Sequence, residues 1–137
     1  MARKYPIKVL VAWGEAISGN GELRDWLLGN GYPELGLFVH ALRLDNKARK
    51  WLIDEGHPEL MALCAGAEGD PKAVSWLKNH GYDILADMAL GADNDDDAMH
   101  RLVSQDERIW ATIALKMRSI KNDIEAKHND WHTFGLD

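Results

Sequence analysis

DNKARKWLIDEGHPELMALCAGAEG, residues Asp45 to Gly69, decides the fold, because both of its neighbours repeat it at a spacing of 25 residues. Trp26, Trp51 and Trp76 stand on that spacing, and a leucine follows each one at once (Leu27, Leu52, Leu77). Five residues after each tryptophan comes Gly31, Gly56 or Gly81, and four residues further comes Leu35, Leu60 or Leu85. A period held without gaps is the signature of a repeat architecture.

The unit reads as two helices. Asp45 is placed to N-cap the first, and Asn20, Asp70 and Asp95 share its phase. Each offers a side-chain oxygen to backbone N–H groups that have no partner inside the helix. Pro71 suits the first helical position, where no N–H is needed. Ala48, Trp51 and Leu52 follow an i, i+3, i+4 stripe, as do Leu23, Trp26 and Leu27, and Ala73, Trp76 and Leu77. This reading places the tryptophans in the core beside the leucines. Gly31, Gly56 and Gly81 then close the helix in the left-handed conformation. A second helix starts at Pro33, Pro58 or Asp83. Its buried stripes are Leu35, Phe38, Val39 and Leu42, then Leu60, Leu63, Cys64 and Ala67, then Leu85, Met88, Ala89 and Ala92. Gly19, Gly69 and Asn94 suit the turn that ends it, whereas Leu44 breaks the pattern and predicts a different turn between the first two units.

Stepping back by 25 from Leu35, Phe38 and Leu42 reaches Leu10, Trp13 and Ile17, so residues 6–18 read as a lone second helix capping the array. The units are 20–44, 45–69 and 70–94, followed by a partial unit, 95–105, in which Arg101 replaces the tryptophan. After it the phase dissolves into a longer C-terminal capping helix and tail, 106–137. No strand pattern competes. The expected architecture is an all-α solenoid of helix-turn-helix repeats in one domain, 1–137.

Composition narrows the function classes. Of 137 residues, 46% are hydrophobic and 28% charged, a globular balance. The net charge of −6 gives no general attraction to nucleic acid or to an anionic membrane. One cysteine, Cys64, permits no intramolecular disulfide and fits a reducing compartment, so a cytoplasmic location is expected. No apolar run reaches the roughly 20 residues of a membrane span, and the N-terminal run is interrupted by Lys8 and has no small-residue cleavage site.

Trp51-Leu52 before Gly56, and Trp76-Leu77 before Gly81, resemble the second helix of an ankyrin repeat, where an apolar pair also precedes a closing glycine. Pro58-Glu59-Leu60-Met61 is loosely similar to that family's Thr-Pro-Leu-His start, with the proline one place earlier and the threonine and histidine missing. The unit is too short for the family's hairpin finger, whose usual repeat is about 33 residues. The resemblance covers residues 6–105 and extends to short α-repeats of the HEAT or tetratricopeptide kind. It implies protein–protein binding, since catalysis is rare among these families.

The residues that the buried stripe leaves over on each second helix are the candidate contact surface. Leu37 and His40, then Met61, Ala62 and Ala65, then Asp87 and Leu90 form a ladder, apolar and small for a solvated face, that suits a protein or peptide partner; packing against an adjacent helix is the competing role. Asp93 to Asp97 suggests a calcium loop, but Ala98 stands where the sharp-turn glycine belongs and Ser104 where the bidentate Glu belongs, so it reads as a capped turn. His128 and His132 are spaced to clamp one metal ion but have no obvious third ligand, so neither metal nor cofactor is expected. Cys64 has the phase of core positions and reads as a small buried hydrophobe. Lys47, Arg49, Lys50, Lys72 and Lys78 form a local basic patch. The expected function is a non-catalytic protein–protein interaction module, of inhibitor or immunity type in one version. The alternative is a nucleic-acid or phosphate-binding repeat that uses the basic patch. An open-ended array also allows self-association.

Overall fold

The computed structural model describes residues 5–105 and 108–133, the side chains of 128–133 excepted. Trp131, Phe134 and the His128/His132 pair therefore lie outside the described side chains. Among the described residues the chain is all-α: α1 (Ile7–Ile17), α2 (Gly21–Gly29), α3 (Pro33–Leu42), α4 (Asn46–Asp54), α5 (Pro58–Ala67), α6 (Pro71–Asn79), α7 (Asp83–Ala92), α8 (Asp96–Ser104) and α9 (Arg108–Thr133). None of these is long and apolar enough to cross a membrane.

Local chemistry sets the boundaries. The Asp45 carboxylate accepts from the backbone N–H of Lys47 at 2.9 Å and of Ala48 at 3.2 Å. Asn20, Asp70 and Asp95 cap α2, α6 and α8 in the same way, through the N–H groups of Leu23, Lys72 and Ala98. Gly56 (φ 83°) and Gly69 (φ 99°) take the left-handed turns that end α4 and α5. Leu44 does not make a different turn. It adopts φ 73°, beside 71° for Asn94 at the matching place, and accepts the strain of a left-handed non-glycine residue.

The helix starts Gly21, Asn46, Pro71 and Asp96 are each 25 residues apart, as are Pro33, Pro58 and Asp83. The burial pattern of α9 departs from the sequence reading, in which the phase dissolves after residue 105. Trp110, Ile113, Ala114 and Met117 of α9 are buried at the places that Leu85, Met88, Ala89 and Ala92 hold in α7. The first turns of α9 therefore belong to the pattern, and only its later turns go beyond it.

The odd-numbered helices pack in succession, α1 on α3, α3 on α5, α5 on α7 and α7 on α9. Each even-numbered helix sits between the two odd ones that flank it in sequence, and none packs substantially on another even one. Small residues let the odd helices approach closely: a Cβ added to Gly66 would lie 2.9 Å from the Ala89 Cβ. Helix α9 also packs on α1. Lys116 of α9 reaches Glu15 and Ser18 at 3.3 Å each. The first and last helices thus touch, where an open-ended array had been expected. Beyond Met117, α9 crosses the C-terminal ends of other odd helices, with Arg118 donating to the Gly91 carbonyl at 2.9 Å and Lys121 to Asp93 at 2.7 Å. Cations suit those negative helix ends.

Candidate functional site

The tryptophan column is not core. Leu27, Leu52 and Leu77 are fully buried, whereas Trp26 is 40% exposed and Trp51 and Trp76 are half-buried. Adjacent residues point about 100° apart around a helix, so a stripe wide enough for the leucine leaves the tryptophan at its edge. Each indole lies against the ring that follows the turn: Trp26 on Tyr32, Trp51 on His57 and Trp76 on Tyr82. His80 also stacks on Trp76 with centroids 4.0 Å apart, and its Nδ1 lies 2.8 Å from the Trp76 carbonyl oxygen.

This arrangement leaves a gap above each second helix, between the outer helices on either side. All seven ladder residues (Leu37, His40, Met61, Ala62, Ala65, Asp87 and Leu90) are half-buried, and they are divided among three separate gaps. Over α3 the gap is filled, because the Leu28 side chain lies on Gly36 so closely that an added Cβ would be 2.7 Å from it. Over α7 it is bridged, because Arg101, at the tryptophan's place, bonds Asp87 through Nε at 3.1 Å and Nη2 at 2.8 Å. Over α5 it is open. Pro58, Met61, Ala62 and Ala65 form the floor of a groove. Ile53 of α4 stands on one side, 59% exposed, and Lys72, Ala73 and Trp76 of α6 stand on the other. Ile53, Lys72 and Trp76 are contributions that sequence reasoning missed. Their 25-residue relation to Leu28, Lys47 and Trp51 was visible, but which members stay uncovered was not.

The charges around the groove are largely paired. Arg49 lies 2.7 Å from Glu68 and donates through Nε to the Ala41 carbonyl, and Lys50 bonds Asp54. Of the basic patch, Lys47, Lys72 and Lys78 remain exposed without an ion pair among the described residues. Cys64, below the groove floor, is buried, and burial pushes its thiol from 9.0 up to about 12; Glu68 adds to the rise and Arg49 opposes it. Such a thiol is protonated at neutral pH and is a poor nucleophile. In the acidic run, Asp93 pairs with Lys121, Asp95 caps α8 and Asp96 pairs with Arg118 at 2.9 Å. No group of three His, Cys, Asp or Glu able to hold a metal occurs among the described residues. The chain matches no protein-family model, curated protein or solved structure.

Proposed function

We propose that this chain is a helical-repeat array of 25-residue units that serves as a non-catalytic binding module, with the groove over α5 receiving a segment of a protein partner. The carrying observation is the contrast between equivalent gaps: Leu28 fills one and the Arg101–Asp87 bridge closes another, while the middle gap presents Ile53, Met61, Ala62, Ala65 and Trp76 to solvent. From Pro58 to Ala65 the floor runs about 10 Å at the helical rise. That length takes about three extended residues, and one fully buried aliphatic side chain there contributes roughly 1.5–3 kcal/mol. Ankyrin-type resemblance points the same way.

The basic patch supports the second reading, binding to phosphate or nucleic acid, less well, because Arg49 and Lys50 are already engaged by Glu68 and Asp54. Affinity capture with the wild type, with Ala62→Glu/Ala65→Glu and with Lys47→Glu/Lys50→Glu separates the two readings. Loss of the captured protein from the groove variant alone is expected. Capture that survives in the groove variant sinks the proposal. Binding of a single-stranded oligonucleotide that falls steeply with salt and vanishes in the lysine variant would put the second reading in its place.

A further inference from the structure

The odd-numbered helices close into a cycle of five, α1–α3–α5–α7–α9–α1, so the cycle has five notches between consecutive members. Four of them hold α2, α4, α6 and α8. The fifth, between α9 and α1, holds no helix among the described residues.

That notch has the same register as the filled ones. A Cβ on Gly66 would face Ala89 at 2.9 Å and one on Gly91 would face Ala114 at 3.8 Å, each pair belonging to consecutive odd helices. The next pair in the series is Lys116 of α9 and Gly14 of α1, and a Cβ on Gly14 would lie 3.2 Å from Lys116 Cδ. Helix α1 therefore packs on α9 at the next place in the series, with the Lys116 side chain lying between the two. The side chains that an outer helix would cover are bare. Of the seven large hydrophobic residues exposed among the described residues, Ile7 and Val11 lie on α1 and Leu115 on α9, at 56, 48 and 49% exposure, and Val103 of α8 (46%) lines a pocket together with Leu115. Ile7 holds the place of Tyr32, His57 and Tyr82, which lie against the tryptophans of α2, α4 and α6. Val11 holds the place of Gly36, which lies beneath Leu28 of α2. Leu115 holds the place of Ala65, which faces α6 across the groove described above. The charge beside the notch is positive. Lys8 and Arg108 are exposed without an ion pair among the described residues, while Glu15 is taken by Lys116.

We propose that the notch between α9 and α1 receives an amphipathic α-helix of a partner protein, which docks as a fifth outer helix and turns acidic residues toward Lys8 and Arg108. The four resident outer helices define its size, nine residues each. Three of them, α2, α4 and α6, also define its pattern, a buried leucine beside a partly covered tryptophan. This is helix-in-groove recognition. It uses a different face from the α5 groove and stands without it.

The probe is a fluorescein-labelled peptide of residues 20–31, the outer-helix sequence that carries Glu22 and Asp25. Saturable binding is expected, about tenfold weaker with Val11→Asp or Leu115→Asp and unchanged with Ser75→Asp, an exposed position outside both sites. Because so short a peptide forms helix poorly in isolation, residues 20–32 are also fused directly ahead of Lys8, where Gly31 makes the turn that Pro6 cannot. Relative to the same fusion carrying Leu27→Asp in the added copy, a rise in Tm of about 5 °C is expected. Binding indifferent to Val11 and Leu115, or no binding together with an equal Tm for the two fusions, overturns the proposal. A wild-type dimer by light scattering that Val11→Asp makes monomeric also overturns it, by giving the notch to a second copy of the chain.

Discussion

Gly36 and Met61 hold the same place over α3 and α5, yet one lies beneath Leu28 and the other lines an open groove. The two regions share capped helix starts, left-handed turns and buried leucines, and at the edge of the stripe they differ in how the gap is filled. A leucine facing a glycine interlocks and closes the gap. An isoleucine facing a methionine cannot, because both side chains are too large to nest, and the gap stays open. A repeat can therefore keep its scaffold constant while a single pair of positions decides whether a unit offers a surface.

If that contrast is confined to the edge, the core behind it must be equal. Leu27→Ala, Leu52→Ala and Leu77→Ala should each cost about 2–5 kcal/mol in urea unfolding, with similar values across the three units. Trp51→Ala should cost less than Leu52→Ala despite its greater size, and the opposite order would return the tryptophans to the core. Gly36→Met transplants the α5 residue into the α3 unit. Its Cβ would meet Leu28 and lie 3.3 Å from the Arg24 carbonyl oxygen, so a loss of about 1–3 kcal/mol is expected, with Leu28 displaced in the crystal structure of the variant.

The middle unit alone has an ionisable group, Cys64, where its neighbours carry Val39 and Ala89. Burial raises the folded thiol from 9.0 to about 12. Its contribution to stability is thus fully present below pH 9.0 and is lost as the pH rises, because the unfolded chain releases the proton first. Between pH 8 and 10 the wild type should lose about 1 kcal/mol relative to Cys64→Val. Equal pH profiles would mean that the thiol is solvated. The smallest effect belongs to the third gap. Arg101→Ala should cost only about 0.2–1 kcal/mol, since the arginine is largely exposed. It should also leave a gap over α7 that a crystal structure of the variant would show open, as over α5.

Much of this was legible one residue at a time. Asn20, Asp45, Asp70 and Asp95 cap helices through their own carboxylate or amide oxygens, and Gly56 and Gly69 take the left-handed turns that the sequence required of them. Leu44 misled because it accepts a strained conformation that the neighbouring helices impose. The ladder residues from Leu37 to Leu90 are half-buried, and they are divided among three gaps of unlike depth.

The all-helical class and the helix starts at Gly21, Asn46 and Pro71 were legible in the sequence, because capping, turn conformation and hydrophobic spacing act within a few residues of chain. Three things rested on tertiary structure. They are the exposure of Trp51 beside buried Leu52, the open groove over α5, and the contact of α9 with α1 that leaves a fifth notch empty. The first two depend on which side chains the neighbouring helices cover and the third on how the helices pack over the length of the chain, and no local pattern of residues specifies either.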